Sequence, residues 1–233
     1  MPTFEEIYAQ HAEIYDALIS REDYQGNLLK TLQAIRPLTG IDVVEMGAGT
    51  GRFTRLLAPT VRSIRAFDAS AHMLEVARRR LTETGLTNWT LEVAANDALP
   101  AADASADLAI EGWSFGHQTV WNPERWREEI DRALSEMKRV LRPGGSAVIV
   151  ETMGTGADRP APPSDGLAAF YRWLEDEQDF QATTVSTDYR FLNVAEADTL
   201  ARFFFGDELA DRVVRENMMI LPEWTGVWWK QLV

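Results

Sequence analysis

The chain has 233 residues, 45% of them hydrophobic, which is enough for the core of one α/β domain with insertions. Its 36 acidic residues against 23 Lys and Arg give a formal net charge of −13, a surface that repels phosphate backbones, so no nucleic-acid partner is expected. The absence of cysteine excludes disulfides, thiolate metal sites and a cysteine nucleophile. With no apolar run of bilayer length and an acidic, amphipathic opening unlike a leader, the expectation is a cytoplasmic protein without membrane attachment or metal.

In chain order, residues 4–18 and 24–35 read as two helices. "IDVVEM" is a short buried strand and "RFTRLLA" a helix behind it. "SIRAFD" is a second strand, and Ser70 caps the helix "AHMLEVARRRLTETG", which ends at Gly85. "TLEVAAND" and "ADLAIEGWSF" are the third and fourth strands. "NPERWREEIDRALSEMKRVLRPGG" predicts a helix with Asn122 as cap, Pro123 at its first position and Gly144–Gly145 as its stop. "SAVIVET" is strand five. This alternation predicts a doubly wound, mostly parallel α/β sheet. Residues 153–166, rich in proline and small residues, read as a long loop. Residues 183–191 read as a strand, 196–214 as one helix, and 218–232 as strand-like, either one bent strand or a hairpin. The C-terminal strands are expected to run antiparallel at the edge of the sheet.

"VVEMGAGTGRFTRLL" carries the chemistry. Gly47, Gly49 and Gly51 lack Cβ atoms, so the turn after strand one can lie against a ligand at the carboxyl edge of the sheet, where the next helix also points its free N–H groups. The spacing is G-x-G-x-G rather than the G-x-G-x-x-G of dinucleotide sites, and Glu45 stands two residues ahead. An acid there suits a positively charged ligand, such as one with an amino-acid end and a sulfonium, better than a pyrophosphate. Asp68 ends strand two, where a carboxylate accepts both ribose hydroxyls. Asn96 and Asp97 end strand three, where they can read an adenine edge, with Met73 and Leu99 over its faces. Each alone also reads as turn chemistry; their coincidence at three consecutive strand ends is what points to a nucleoside.

On these motifs the sequence resembles the class I S-adenosylmethionine-dependent methyltransferases. "VVEMGAGTGRFT" is similar to their first motif, "AFDASAHMLEVAR" to the second, and "AANDALPAADASADLAIEGWSF" and "EMKRVLRPGGSAVIVE" to the segments leading through strands three to five, so the likeness runs from about residue 41 to 151. The subgroup is the ubiquinone/menaquinone-methyltransferase-like small-molecule enzymes. The resemblance implies a seven-stranded Rossmann-like sheet and S-adenosyl-L-methionine as cofactor, leaving S-adenosyl-L-homocysteine. It implies a single domain over 1–233: a helical cap (1–40), a cofactor-binding core (41–151), a loop-and-helix insertion facing substrate (152–182), and C-terminal edge strands and helix (183–233). It further implies that Glu45 interacts with the amino end of the cofactor, directly or through water, and that the three glycines approach its methionine part. Asp68 with Ala69 would hold the ribose; Met73, Asn96, Asp97 and the Ala98 backbone would hold the adenine. Trp113 and Tyr15 would stand near the methionine end.

An activated methyl donor needs alignment and dryness more than a base. Of the three histidines, His117, just after strand four, is the candidate base or acceptor contact, His72 reads as structural, and His11 faces pocket or solvent. Glu111, near the end of strand four, fits either a ligand contact or a buried ion pair. The expected substrate pocket is Tyr8, His11, Phe115, Phe170, Tyr171 and Trp173, with Trp121 and Phe180 as further aromatic candidates, although aromatic residues at helical spacing are more often core. The expected partner is a small-molecule methyl acceptor, and the chain a monomer or homodimer. Competing readings are a non-catalytic regulator that keeps the cofactor site, and an NAD-type oxidoreductase.

Overall fold

The computed structural model describes residues 3–232. Its strands β1 (Asp42–Met46), β2 (Ser63–Asp68), β3 (Trp89–Val93), β4 (Ala106–Gly112) and β5 (Leu141–Thr155) lie side by side in the order β3-β2-β1-β4-β5, all parallel. Such strands are buried on both faces, and their residues divide alternately between two apolar clusters. Val44, Ala109, Ala147 and Ile149 enter one cluster, while Val43, Leu108, Ile110, Val148 and Val150 enter the other. The register sets Met46 beside both Phe67 and Glu111, so the turns after β1, β2 and β4 open on one edge. The chain winds from β1 through β3 on one side and then crosses to β4, which makes the gap between β1 and β4 the topological switch point.

Helix α4 (Arg52–Leu57) packs with the second cluster through Phe53 and Leu57, and α5 (Ala71–Glu83) follows β2 with Ser70 accepting the Met73 N–H as the sequence predicts. After β4 come a short α6 (Gln118–Trp121) and α7 (Trp126–Val140). The latter starts later than expected: Asn122 and Pro123 lie in the turn before it, and no side chain caps it. β5 runs on to Thr155, so the loop expected from residue 153 begins after it, and it leads into α8 (Asp165–Asp176).

The C-terminal third divides more finely than the sequence suggested. β6 (Gln181–Ser186) belongs to the main sheet, and β7 (Tyr189–Arg190) pairs instead with β8 (Ile220–Leu221) in a small second sheet. The expected single helix is two, α9 (Val194–Phe205) and α10 (Asp207–Arg215), broken at Gly206, whose φ of +88° no helix tolerates. Pro222 separates β8 from β9 (Glu223–Gln231). β9 runs antiparallel, as expected, paired with β5 on one side and with β6 on the other, completing seven strands.

The N-terminal helices are α1 (Phe4–Gln10), α2 (Ala12–Ile19) and α3 (Asn27–Ile35), the first two separated at His11 where one helix was expected. Ile7 and Leu18 join Tyr189, Phe204, Val213 and Leu221 in a third apolar cluster, so the cap over the carboxyl edge is built from both ends of the sequence. Buried Asp16 ties α2 down, accepting from Arg55 of α4 at 2.9 Å and from Arg80 of α5 at 2.7 Å.

Candidate functional site

At the switch point the ends of β1 to β4 surround a cavity of about 360 Å³. The three glycines serve three different needs. Gly47 (φ +66°) lines the cavity with its Cα against Ser114, whose side chain would collide with any Cβ. Gly49 (φ +55°) lines it opposite Met73 and Tyr15, and its N–H donates to Asp68 Oδ2 at 2.7 Å. Gly51 (φ +82°) does not line it; a Cβ there would stand 3.2 Å from the Ala77 Cβ, so this glycine lets α5 pack under the turn.

Asp68 faces the cavity at the end of β2 and also accepts the Ser70 N–H on Oδ1 at 2.7 Å. Two backbone donors leave part of the carboxylate's accepting capacity for a ligand. Burial pushes its carboxyl above the usual range, and the two N–H bonds oppose that shift. Ala69, Met73, Asn96 and Asp97 line the same side, with Ile130 and Ala133 of α7. Asn96 donates to Ser114 Oγ at 2.9 Å, linking the third and fourth strand ends.

Two expected contacts are corrected, and a third is placed beneath the turn. Ala98 does not line the cavity, because its N–H closes a turn onto the Ala95 carbonyl at 3.2 Å. Leu99 turns into the first apolar cluster. Glu45 is buried beneath the turn, where the Thr54 hydroxyl donates to it, and burial pushes its carboxyl up to about 8.

The rim after β4 is aromatic. Trp113 sits at φ +55°, a strained backbone for a bulky residue, and its ring stacks on Phe53 with the Arg52 guanidinium 3.9 Å from its centroid. Phe115, His117 and Trp121 also line the cavity. His117 stacks on Trp121, and its Nε2 lies 2.6 Å from the Tyr8 hydroxyl of α1. Burial pushes the His117 imidazole down to about 4, so it is neutral at physiological pH.

A second, larger cavity of about 800 Å³ lies under the cap and shares Tyr8, Tyr15, Trp113 and His117 with the first. Its walls are mainly apolar, from Phe4, Leu18 and Ile19 on one side and Phe204, Phe205 and Leu209 on the other. Glu151, at the end of β5, lines it and accepts the Gly116 N–H at 2.6 Å. Glu111, on the neighbouring strand, accepts from the Ser114 and Phe115 N–H groups. Burial raises both carboxyls, Glu151 to about 8, and the charge of Glu151 raises Glu111 further, so the pair holds a proton at neutral pH.

Several expected pocket residues do not meet either cavity. His11 packs edge-on against Phe203 between α1 and α2. Phe170, Tyr171 and Trp173 are buried where α8 covers the sheet, with Tyr171 stacked on Trp228 and its hydroxyl donating to the Thr152 carbonyl at 2.7 Å; Phe180 joins the same core. Only Leu167 of α8 reaches the larger cavity. Sequence reasoning missed Glu22, Arg52, Tyr189 and Glu223, which line that cavity. Only Arg52 carried a signal, its place directly after the glycine turn.

Residues 43–145 match a family model described as a methyltransferase domain. The ubiquinone/menaquinone biosynthesis C-methyltransferase of Hahella chejuensis is 31% identical over 155 residues, 60% of this chain and 58% of that protein. The malonyl-[acyl-carrier protein] O-methyltransferase of Methylococcus capsulatus is 39% identical over 106 residues, 44% of this chain and 34% of its own length. The chain thus spans about half the length of the curated relatives it matches. The crystal structure of a SAM-dependent methyltransferase from Aquifex aeolicus shares the fold with a TM-score of 0.58 at 15% identity, covering 95% of this chain and 98% of that one.

Proposed function

We propose that this chain, which carries the class I S-adenosylmethionine-dependent methyltransferase core, moves a methyl group to a small-molecule acceptor held in the larger cavity. The observation that carries the reading is the shared wall: Tyr8, Tyr15, Trp113 and His117 border both a nucleoside-sized cavity at the glycine turn and an apolar chamber beside it.

The residues present suit the cofactor. Asp68 offers its remaining acceptor capacity to the ribose hydroxyls, and Gly49 leaves room for a close approach between Met73 and Tyr15. Asn96 and Asp97 face the adenine side, with Met73 and Ile130 among the apolar surfaces. The bound cofactor supplies a methyl group on a positively charged sulfur, already activated for transfer. What remains for the protein is to orient the acceptor in line and exclude water, which the cap and the aromatic rim do.

Where the acceptor must lose a proton, His117 is poorly placed to take it, being neutral with a depressed basicity and engaged with Tyr8. Glu151 faces the chamber, and once ionised it is a stronger base than an ordinary carboxylate, so its deprotonated form is the proposed proton acceptor, one favoured as pH rises toward 8. The relatives named for C- and O-methylation support a small organic acceptor. The lack of cysteine agrees with a cytoplasmic setting. Among the described residues no helix is long and apolar enough to cross a membrane.

The test is calorimetric titration with S-adenosylmethionine, S-adenosylhomocysteine and NAD(H), followed by an acceptor screen reading S-adenosylhomocysteine release. Saturable binding of the two adenosyl ligands, absent with NAD(H), is expected; a preference for NAD(H), or no binding by folded protein, overturns the reading.

A further inference from the structure

One wall of the larger chamber carries a buried polar cluster, set in a mainly apolar lining whose other charged residues are Glu151 at the end of β5 and Glu208, Arg212 and Arg215 of α10. Arg52, the first residue of α4, pairs with Glu22 at 2.7 Å, and these side chains are only 15% and 3% exposed. Glu223, the first residue of β9, lies beside them and is 2% exposed. Thr152 donates to Glu223 Oε1 at 3.0 Å, and the Tyr189 hydroxyl borders Glu22. Three buried atoms of this cluster have no partner within ordinary hydrogen-bond geometry, Glu22 Oε1, Arg52 Nη2 and Glu223 Oε2, although Tyr189 stands near the Glu22 carboxyl and Thr155 near that of Glu223. A buried polar atom left unpaired destabilises the fold, and more so when charged. Three of them on the wall of one cavity, contributed by three separate segments of the chain, are complementary to something polar that enters that cavity.

The donor set defines what fits. A guanidinium has only N–H donors and calls for an acceptor oxygen; the Glu22 carboxylate, paired with Arg52, calls for an N–H or O–H, and Glu223, whose carboxyl burial pushes up to about 8, can accept or donate. The Glu22–Arg52 ion pair fixes the two requirements side by side. The cluster lines the larger chamber and not the smaller cavity, and Trp113, with the Arg52 guanidinium over its ring, borders both. Phe204, Phe205 and Leu209 line the same chamber as apolar surface.

We propose that Glu22, Arg52 and Glu223 form a head-group subsite for the methyl acceptor, selecting an amphiphile whose polar end carries an N–H or O–H donor beside a carbonyl oxygen and whose apolar body lies against Phe204 and Phe205 of α9 and Leu209 of α10. The proposal rests on the reading of the larger chamber as the acceptor site.

The experiment titrates three probes of matched length into protein saturated with S-adenosylhomocysteine. Octanamide carries donor and acceptor, N,N-dimethyloctanamide has lost the donor, and 2-pentylpyrrole, an uncharged N–H donor, has lost the acceptor. Octanamide is expected to bind roughly tenfold more tightly than either of the others, the worth of one charge-assisted hydrogen bond. Arg52→Met and Glu223→Leu, each checked for folding by thermal midpoint, are expected to abolish that preference while leaving S-adenosylhomocysteine affinity within a few-fold. Equal binding of the three probes, or binding of none, overturns the subsite in the wild-type protein whether or not the variants fold. A tenfold or greater loss of S-adenosylhomocysteine affinity in folded Arg52→Met also overturns it, because the cluster then serves the amino-acid end of the cofactor. Failure of wild-type protein to bind S-adenosylhomocysteine at all is a separate result, and sinks the methyltransferase reading instead.

Discussion

Replacing Asp68 with alanine is the sharpest test of the nucleoside site. In the folded protein this carboxylate accepts one N–H from Gly49 and one from Ser70, both at 2.7 Å, and turns its remaining capacity to the cavity. Two ribose hydroxyls accepted there, at about 1.5–3 kcal/mol for each hydrogen bond to a charged group, amount to roughly 3–6 kcal/mol. At about 1.4 kcal/mol per tenfold, S-adenosylhomocysteine should then bind at least about a hundredfold more weakly to Asp68→Ala. The same change strips the Gly49 and Ser70 amides of their acceptor, so the thermal midpoint should fall by several degrees. Asp68→Asn should rescue little, since its amide must turn N–H groups toward one of those backbone donors. Titration calorimetry with a parallel thermal scan checks both effects. An affinity within fivefold of wild type, in a variant with an unchanged fold, would refute the assignment of the ribose to Asp68.

Other expectations follow from the same geometry. Glu45, Glu151 and Glu223 have carboxyls pushed up to about 8 by burial, so the folded state holds their protons more tightly than the unfolded chain. Their stabilising contribution is complete below about pH 4.5 and is lost as pH rises through 8. The thermal midpoint should therefore fall between pH 5 and 8.5, and Glu45→Gln should flatten that slope in scanning calorimetry. The His117 ring should show no NMR titration between pH 5.5 and 8; a midpoint near 6.5 would contradict its burial. Gly51→Ala should cost more stability than Gly85→Ala in denaturant unfolding. Both residues have positive φ, at about 1–2 kcal/mol of backbone strain, and only the first meets a neighbouring side chain. Equal losses would mean that α5 yields freely to the added methyl group. With an acceptor that sheds a proton, Glu151→Gln should lower kcat by about a hundredfold with cofactor affinity unchanged, and an unaltered kcat would remove Glu151 from the proton path.

The cofactor half was legible because its signals are local. Buried parallel strands announce themselves as short runs such as "DVVEM" and "SAVIV", and the residues that face the cavity follow each strand end directly: Gly47 and Gly49, Asp68, Asn96 and Asp97. Glu45 lies on the same strand end but one pleat away, and periodicity alone could not say that Thr54 would bury it. The acceptor side was opaque for a different reason. Helical spacing gave Phe170, Tyr171 and Trp173 a common face without saying whether that face meets a pocket or a sheet; it meets the sheet. Nothing in a one-dimensional pattern couples residues 22, 52 and 223, because only the antiparallel return of β9 beside β5 brings the third to the other two. Gly206 and Pro222 were visible in the sequence, but the small β7–β8 sheet they permit depends on pairing across some thirty intervening residues.

The roof of the larger chamber joins Ile7 and Leu18 to Phe204 and Val213, partners separated by almost the whole sheet in sequence. Closing a loop of that length costs conformational entropy, although that cost grows only slowly with length. Neither of the two larger clusters that hold the sheet and its helices includes these residues. Opening the roof while the seven strands stay intact must still break the Asp16 pairs with Arg55 and Arg80, and the free energy of that local opening, rather than the stability of the whole protein, sets how often the chamber is accessible.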